Sequence, residues 1–245
     1  MRRIGLALLI LAAGCSPAFA QVEELRSFLE GQDGAFSARM MQLIALITVL
    51  SIAPGLLIMV TSFTRIVVVL SFLRSGLGLQ STPANPILIS LALFMTFYVM
   101  GPTFENAWQR GLQPLMQNEI NEAEAFKRVV KPFREFMQKQ VRDKDLKLFT
   151  ELADLDISQE AADQEIELRI LVPAFMISEL RRGFEIGLLI ILPFLVIDLI
   201  VATLTMSMGM MMLPPTVISL PFKILFFILM DGWNLLVGSL IRSFA

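Results

Sequence analysis

The chain contains no histidine, and its one cysteine is Cys15. Without histidine there is no Ser-His-Asp or Cys-His set for nucleophilic catalysis. The usual ligand sets for zinc, haem or an iron–sulfur cluster are missing too, so no metal or other cofactor is expected. One cysteine cannot close a disulfide within the chain. No glycine-rich phosphate loop follows a strand pattern anywhere. Charge is also scarce: 17% of residues, with a net of −2, leave no basic face for nucleic acid. An enzyme reading has nothing to build on. What the sequence does have is apolar mass, with 56% hydrophobic residues, fifteen methionines and a mean hydropathy of +0.70. That composition belongs to membrane proteins.

The N-terminus reads as a processing signal. Arg2 and Arg3 form its basic region, residues 4–13 its apolar core, and Ala18-Phe19-Ala20 an A-x-A cleavage site at Ala18 and Ala20. The apolar core is too short to cross about 30 Å of hydrocarbon. Lipoprotein processing at Cys15 is the rival, but Leu11 sits one position too far from the cysteine for the usual pattern. Removal of 1–20 leaves a mature chain without cysteine, its new N-terminus outside the cytoplasm.

Four apolar blocks follow, at 40–73, 86–104, 184–213 and 216–241. The first is 34 residues long, about 51 Å as a helix and well beyond a bilayer core. Pro54-Gly55, Pro193 and Pro221 are therefore expected to kink or break their blocks. Residues 105–183 form a hydrophilic insert holding 27 of the chain's 42 charged residues. Within it Ile120, Ala123, Phe126, Val130, Phe133, Phe136 and Met137 recur at helical spacing, with a break expected at Lys131-Pro132. The mixed-sign charge reads as a solvated helical face. The expected organisation is a signal peptide at 1–20, an extracytoplasmic segment at 21–39, a first apolar hairpin at 40–104, the insert at 105–183 and a second hairpin at 184–245. The expected fold is all-α and membrane-associated: about four long, kinked helices plus the insert. Four crossings from an external N-terminus put the insert outside and the 184–245 turn inside.

Ionisable residues inside apolar blocks are expensive, about 2.5 to 3.5 kcal/mol each at a helix centre. Arg65, Asp198, Lys223 and Asp231 are such residues. Asp198 and Lys223 face each other in an antiparallel hairpin only if its turn is centred near Met210 or Met211. A turn at Pro214-Pro215 separates them by roughly 10 Å, and the partner must then come from another subunit. The chain therefore reads as unfinished by itself, its charged helices calling for burial against other protein.

Met210, Met211 and Met212 run into Pro214 and Pro215 between these charges. Methionine is unbranched and polarisable, so it fills irregular gaps and re-packs around changing shapes. Contributed by several subunits, such side chains seal a pore; contributed by one, they are core filling. Arg65 beside Thr61, Ser62 and Thr64 reads as an inter-subunit contact. Asp231-Gly232-Trp233 reads as a helix-end contact, with Trp233 in packing. Gly183 and Gly187, four apart, permit close helix approach.

Several stretches resemble the FliP proteins of the bacterial flagellar type III export gate and their injectisome relatives. PAFMISELRRGFEIG at 173–187 and PFKILFFILMDGW at 221–233 look like the two family signatures. GMMMLPP at 209–215, TSFTRIVVVLSFLR at 61–74 and NPILISLALFMTFYVMGP at 85–102 are also similar. The signal peptide and full-length insert favour the flagellar branch. The resemblance implies a subunit of the inner membrane and flagellar basal body that assembles as a homo-oligomer with FliQ and FliR and other export proteins. Unfolded proteins in transit and membrane lipid would be its further contacts. It also implies that Met210, Met211 and Met212 are a gasket closing the pore, and that Asp198 and Lys223 pair within or between subunits. The rival reading is a secondary transporter or ion-channel subunit, which also uses broken helices and intramembrane charge. Against it, the two halves show no internal repeat.

Overall fold

The computed structural model describes residues 33–79, 83–153, 166–209 and 214–244, which are helical throughout with no strand among them. Nine α-helices are described. They are α1 (Asp33–Met59), α2 (Phe63–Gly76), α3 (Asn85–Ala107), α4 (Gln113–Met116), α5 (Glu122–Gln140), α6 (Asp143–Leu152), α7 (Leu168–Ser207), α8 (Pro215–Leu229) and α9 (Gly232–Arg242). A π-helical turn, Trp108–Leu112, joins α3 to α4. Residues 1–54 form one unit and 55–245 another. The proposed cleavage residues Ala18 and Ala20 lie outside the described residues, as do Met210, Met211 and Met212.

Three stretches are long and apolar enough to cross a membrane, Arg39–Met59, Asn85–Met116 and Leu168–Ser207. The α8–α9 pair passes the same test with a 65° bend between its members. The breaks do not fall where proline composition put them. Helix α1 runs through Pro54-Gly55, and the chain turns at 60–62 instead. Pro132, Pro193 and Pro221 all sit inside continuous helices. An interior proline costs roughly 3 kcal/mol, a penalty that packing of the same segment can outweigh. The fourth block breaks at Asp231, held in the left-handed region at φ 49° and ψ 49°.

Helix α2 is the centre of the second unit. Ile66, Val69 and Leu70 are fully buried, and Leu73 nearly so. They pack with Leu88, Ala92 and Met95 of α3, Phe194 of α7, Phe227 of α8, and Leu236 and Leu240 of α9. Burying one such side chain contributes about 1.5 to 3 kcal/mol. The single 40–73 block thus divides into a long apolar helix and a short core helix.

Helices α2 and α7 run parallel. A Cβ built on Gly183 would lie 3.0 Å from Val68, and one on Gly187 2.6 Å from Phe72. Reciprocally, a Cβ on Gly76 would lie 2.9 Å from Ile191. The pairing thus holds a register of about 115 positions over several turns, each glycine admitting a larger residue of the other helix. Parallel neighbours need a long crossover, and α3 to α6 supply it.

The insert packs on the start of α7 through Met137, Leu171 and Phe175. Its main helix, α5, starts at Asn121, whose side-chain oxygen accepts the Glu124 N–H at 2.8 Å. Phe133 meets Phe104 of α3 edge-on, and Phe136 meets Phe175. Phe126 departs from the expected apolar stripe and is exposed. Ala125 is buried in its stead, because Gly111 brings the π-turn to within contact of Val129 and the Ala125 carbonyl.

Candidate functional site

Two charge clusters mark the ends of the α2–α7 pair. At the C-terminal end of α2, Lys223 of α8 is only 4% exposed. Its Nζ donates to Asp198 Oδ2 of α7 at 2.6 Å and to the Gly76 carbonyl at 3.0 Å. Ser219 Oγ, one turn before Lys223, donates to the other Asp198 oxygen at 2.5 Å. The pair closes within one chain. Helix α7 ends at Ser207 and Gly209 adopts φ 73°, while Pro214 is extended and Pro215 is the first residue of α8. Pro214 and Pro215 thus stand at the start of the second stem.

Beside this cluster, α7 and α8 enclose an open apolar cavity of about 400 Å³. Ile197, Val201, Leu204, Met208, Ile218 and Phe222 line it. The segment bearing Met210, Met211 and Met212 joins the same two stems in sequence.

At the other end of α2, Arg65 is fully buried against Glu179 of α7. Its Nε donates to Glu179 Oε2 at 2.9 Å, and its Nη2 to Glu179 Oε1, forming a fork. Nη2 also donates to Gln140 Oε1 at 3.0 Å, and Nη1 to the carbonyl and Oγ of Ser243 at 2.8 and 3.0 Å. The Phe244 ring covers the guanidinium at 3.8 Å. Arg182 donates to the same Gln140 oxygen at 2.7 Å. One buried cation thus ties α2, α5, α7 and the residues after α9.

These contacts correct one expectation and close one open choice. The partners of Arg65 lie in the same chain rather than in a neighbour. Of the two arrangements left open for Asp198 and Lys223, the pair takes the one within the chain. A lone copy therefore does not strand these groups: three of the four intramembrane-type charges are satisfied within the chain. Asp231 is the fourth, exposed at the α8–α9 bend and making no side-chain cap hydrogen bond to α9. Glu179, Gln140, Ser243 and Phe244 were missed by sequence reasoning. Glu179 offered one signal, as the lone acid in the otherwise uncharged run 170–180.

The remaining predicted residues are placed as follows. Gly183 and Gly187 form the close α2–α7 approach. Trp233, 44% exposed, meets Phe227 edge-on at 5.5 Å across the α8–α9 bend. Gly232 sits under the same ring, which leaves no room for a Cβ.

The sequence matches the FliP family model over residues 46–240. It is 66% identical over 212 residues to a flagellar biosynthetic protein FliP of Agrobacterium fabrum, covering 86% of each chain. Against the protein of that name from Caulobacter vibrioides it is 50% identical over 246 residues, spanning 100% of this chain and 92% of the relative. Against the one from Aquifex aeolicus the identity is 43% over 242 residues and 99% of both. A match extending from α1 into α9, and so across every contact of both clusters except the Ser243–Phe244 end, establishes that this chain belongs to the FliP family.

Proposed function

We propose that this chain is a pore-building subunit of the flagellar protein export gate, passing unfolded proteins out of the cytoplasm. The observation that carries the reading is the contrast between its two kinds of surface. Its costly charges turn inward on one another, whereas Leu189, Leu199, Phe222, Ile228 and Leu229 remain exposed along α7 and α8. Apolar faces of this extent call for lipid or other subunits. With charge already satisfied, the faces left for neighbours are apolar, which suits lateral association into a ring of like copies with FliQ and FliR. The three long apolar helices support a membrane setting, and in this reading the processed N-terminus and the insert lie on the outer side. Energy for transport comes from partner proteins.

In this reading Met210, Met211 and Met212 close the axis of the ring. Their side chains deform around a passing chain and reseal after it, indifferent to its sequence. Replacing all three by alanine is expected to make assembled gates leak ions or small solutes while leaving assembly intact. Unchanged permeability in such gates overturns the gasket role.

A further inference from the structure

We propose that Lys223 is the C-terminal cap of α2, supplied from the second hairpin, and that Asp198 and Ser219 serve to aim it. This deepens the export-gate reading by naming what holds the stems of the methionine segment to the first hairpin.

The end of α2 leaves one specific vacancy. Gly78, at φ 76°, turns the chain out of the helix. The Leu77 N–H bonds the Leu73 carbonyl at 3.0 Å, the Gly78 N–H the Ser75 carbonyl at 3.0 Å, and the Leu79 N–H the Arg74 carbonyl at 3.2 Å. The last two bonds are the Schellman pattern. They satisfy Arg74 and Ser75 and pass over Gly76. Among the described residues, the donor that reaches the Gly76 carbonyl is Lys223 Nζ. A helix C-terminus carries a partial negative charge, so an ammonium there gains from the dipole as well as from the hydrogen bond.

The approach is built from both sides. A Cβ on Gly76 would collide with Ile191, and a Cβ on Gly78 would stand 4.0 Å from Lys223 Nζ. Side chains are therefore missing from α2 where α7 and α8 come closest. Asp198 Oδ2 and the Gly76 carbonyl hold the same Nζ, while Ser219 occupies the other Asp198 oxygen. A lysine serving only Asp198 has no need of the carbonyl. A lysine placed to cap needs a carboxylate beside it to offset its own burial.

The test separates the two roles by first removing the carboxylate. Hydrogen exchange at the backbone amides of Leu77, Gly78 and Leu79 is measured in detergent-solubilised full chain for Asp198→Asn, Asp198→Asn/Lys223→Met and Asp198→Asn/Lys223→Arg. Capping predicts that the Met double variant exchanges about tenfold faster than Asp198→Asn alone, the size of effect of a lost charge-assisted bond. It also predicts that the Arg variant, which keeps the donors, returns most of the protection. Equal exchange in Asp198→Asn and the Met double variant overturns the cap and leaves Lys223 as an ion-pair partner. So does failure of Arg to protect. Neither result bears on export, because the readout needs no transport.

Discussion

Removing the Glu179 carboxylate while leaving Arg65 in place strands a cation that has no exposure to solvent. Breaking a buried pair from one side costs about 3 to 5 kcal/mol, because the remaining charge is left without compensation. Glu179→Gln is expected to lower thermal stability in detergent by that amount. The double change Arg65→Met/Glu179→Leu should recover most of the loss, since replacing both partners by apolar groups is often neutral. Thermal unfolding of the three proteins checks this, and a double variant no better than the single overturns the pair as the source. Ser243 and Phe244 belong to the same cluster, so deleting them uncovers the guanidinium and should destabilise in the same direction.

At the scale of elements, the α2–α7 contact depends on where glycine stands. Gly187→Ala drives a methyl to 2.6 Å from the Phe72 ring, which must shift. Over-packing of this kind costs about 1 to 3 kcal/mol. Gly101 of α3 has nothing within 4 Å of the same ideal position, so Gly101→Ala should stabilise by about 0.5 to 1 kcal/mol through helix propensity alone. Opposite signs for two identical substitutions, read from melting curves, are the expected outcome. The register held over about three turns between parallel helices also explains why the insert is long. It must carry the chain from the end of α3 back to the start of α7, and its own amphipathic helix α5 packs on the way.

For the whole molecule, the inward-facing charges and outward-facing apolar helices make opposite predictions from those of a stranded-charge monomer. If association is driven by apolar faces, single-charge variants will act first on the fold of one chain and only through it on assembly. Substituting exposed apolar residues such as Leu199→Gln and Phe222→Gln should instead leave the chain folded and shift it from a large multi-chain particle to smaller species in mild detergent. Size-exclusion chromatography with light scattering distinguishes the two. A discrete small unit from the unaltered chain, co-expressed with its neighbours, favours a transporter.

What the sequence determined by itself was whatever repeats locally or is composed locally. The apolar blocks, the charged insert, the helical class and the family signatures all lie in stretches of ten to forty residues and depend on periodicity and composition. The Asp198–Lys223 pair was legible for the same reason, because it spans one hairpin and only the position of the turn remained open. Proline misled, since its local penalty is small beside the packing of a helix and says nothing about that packing. Tertiary structure alone decided that Arg65 meets Glu179 and that Lys223 reaches the Gly76 carbonyl, partners 114 and 147 positions apart. No local period encodes such separations. They exist because the insert returns the chain parallel to α2, and because glycines at 76, 183 and 187 let the helices approach until a buried charge finds its counterpart.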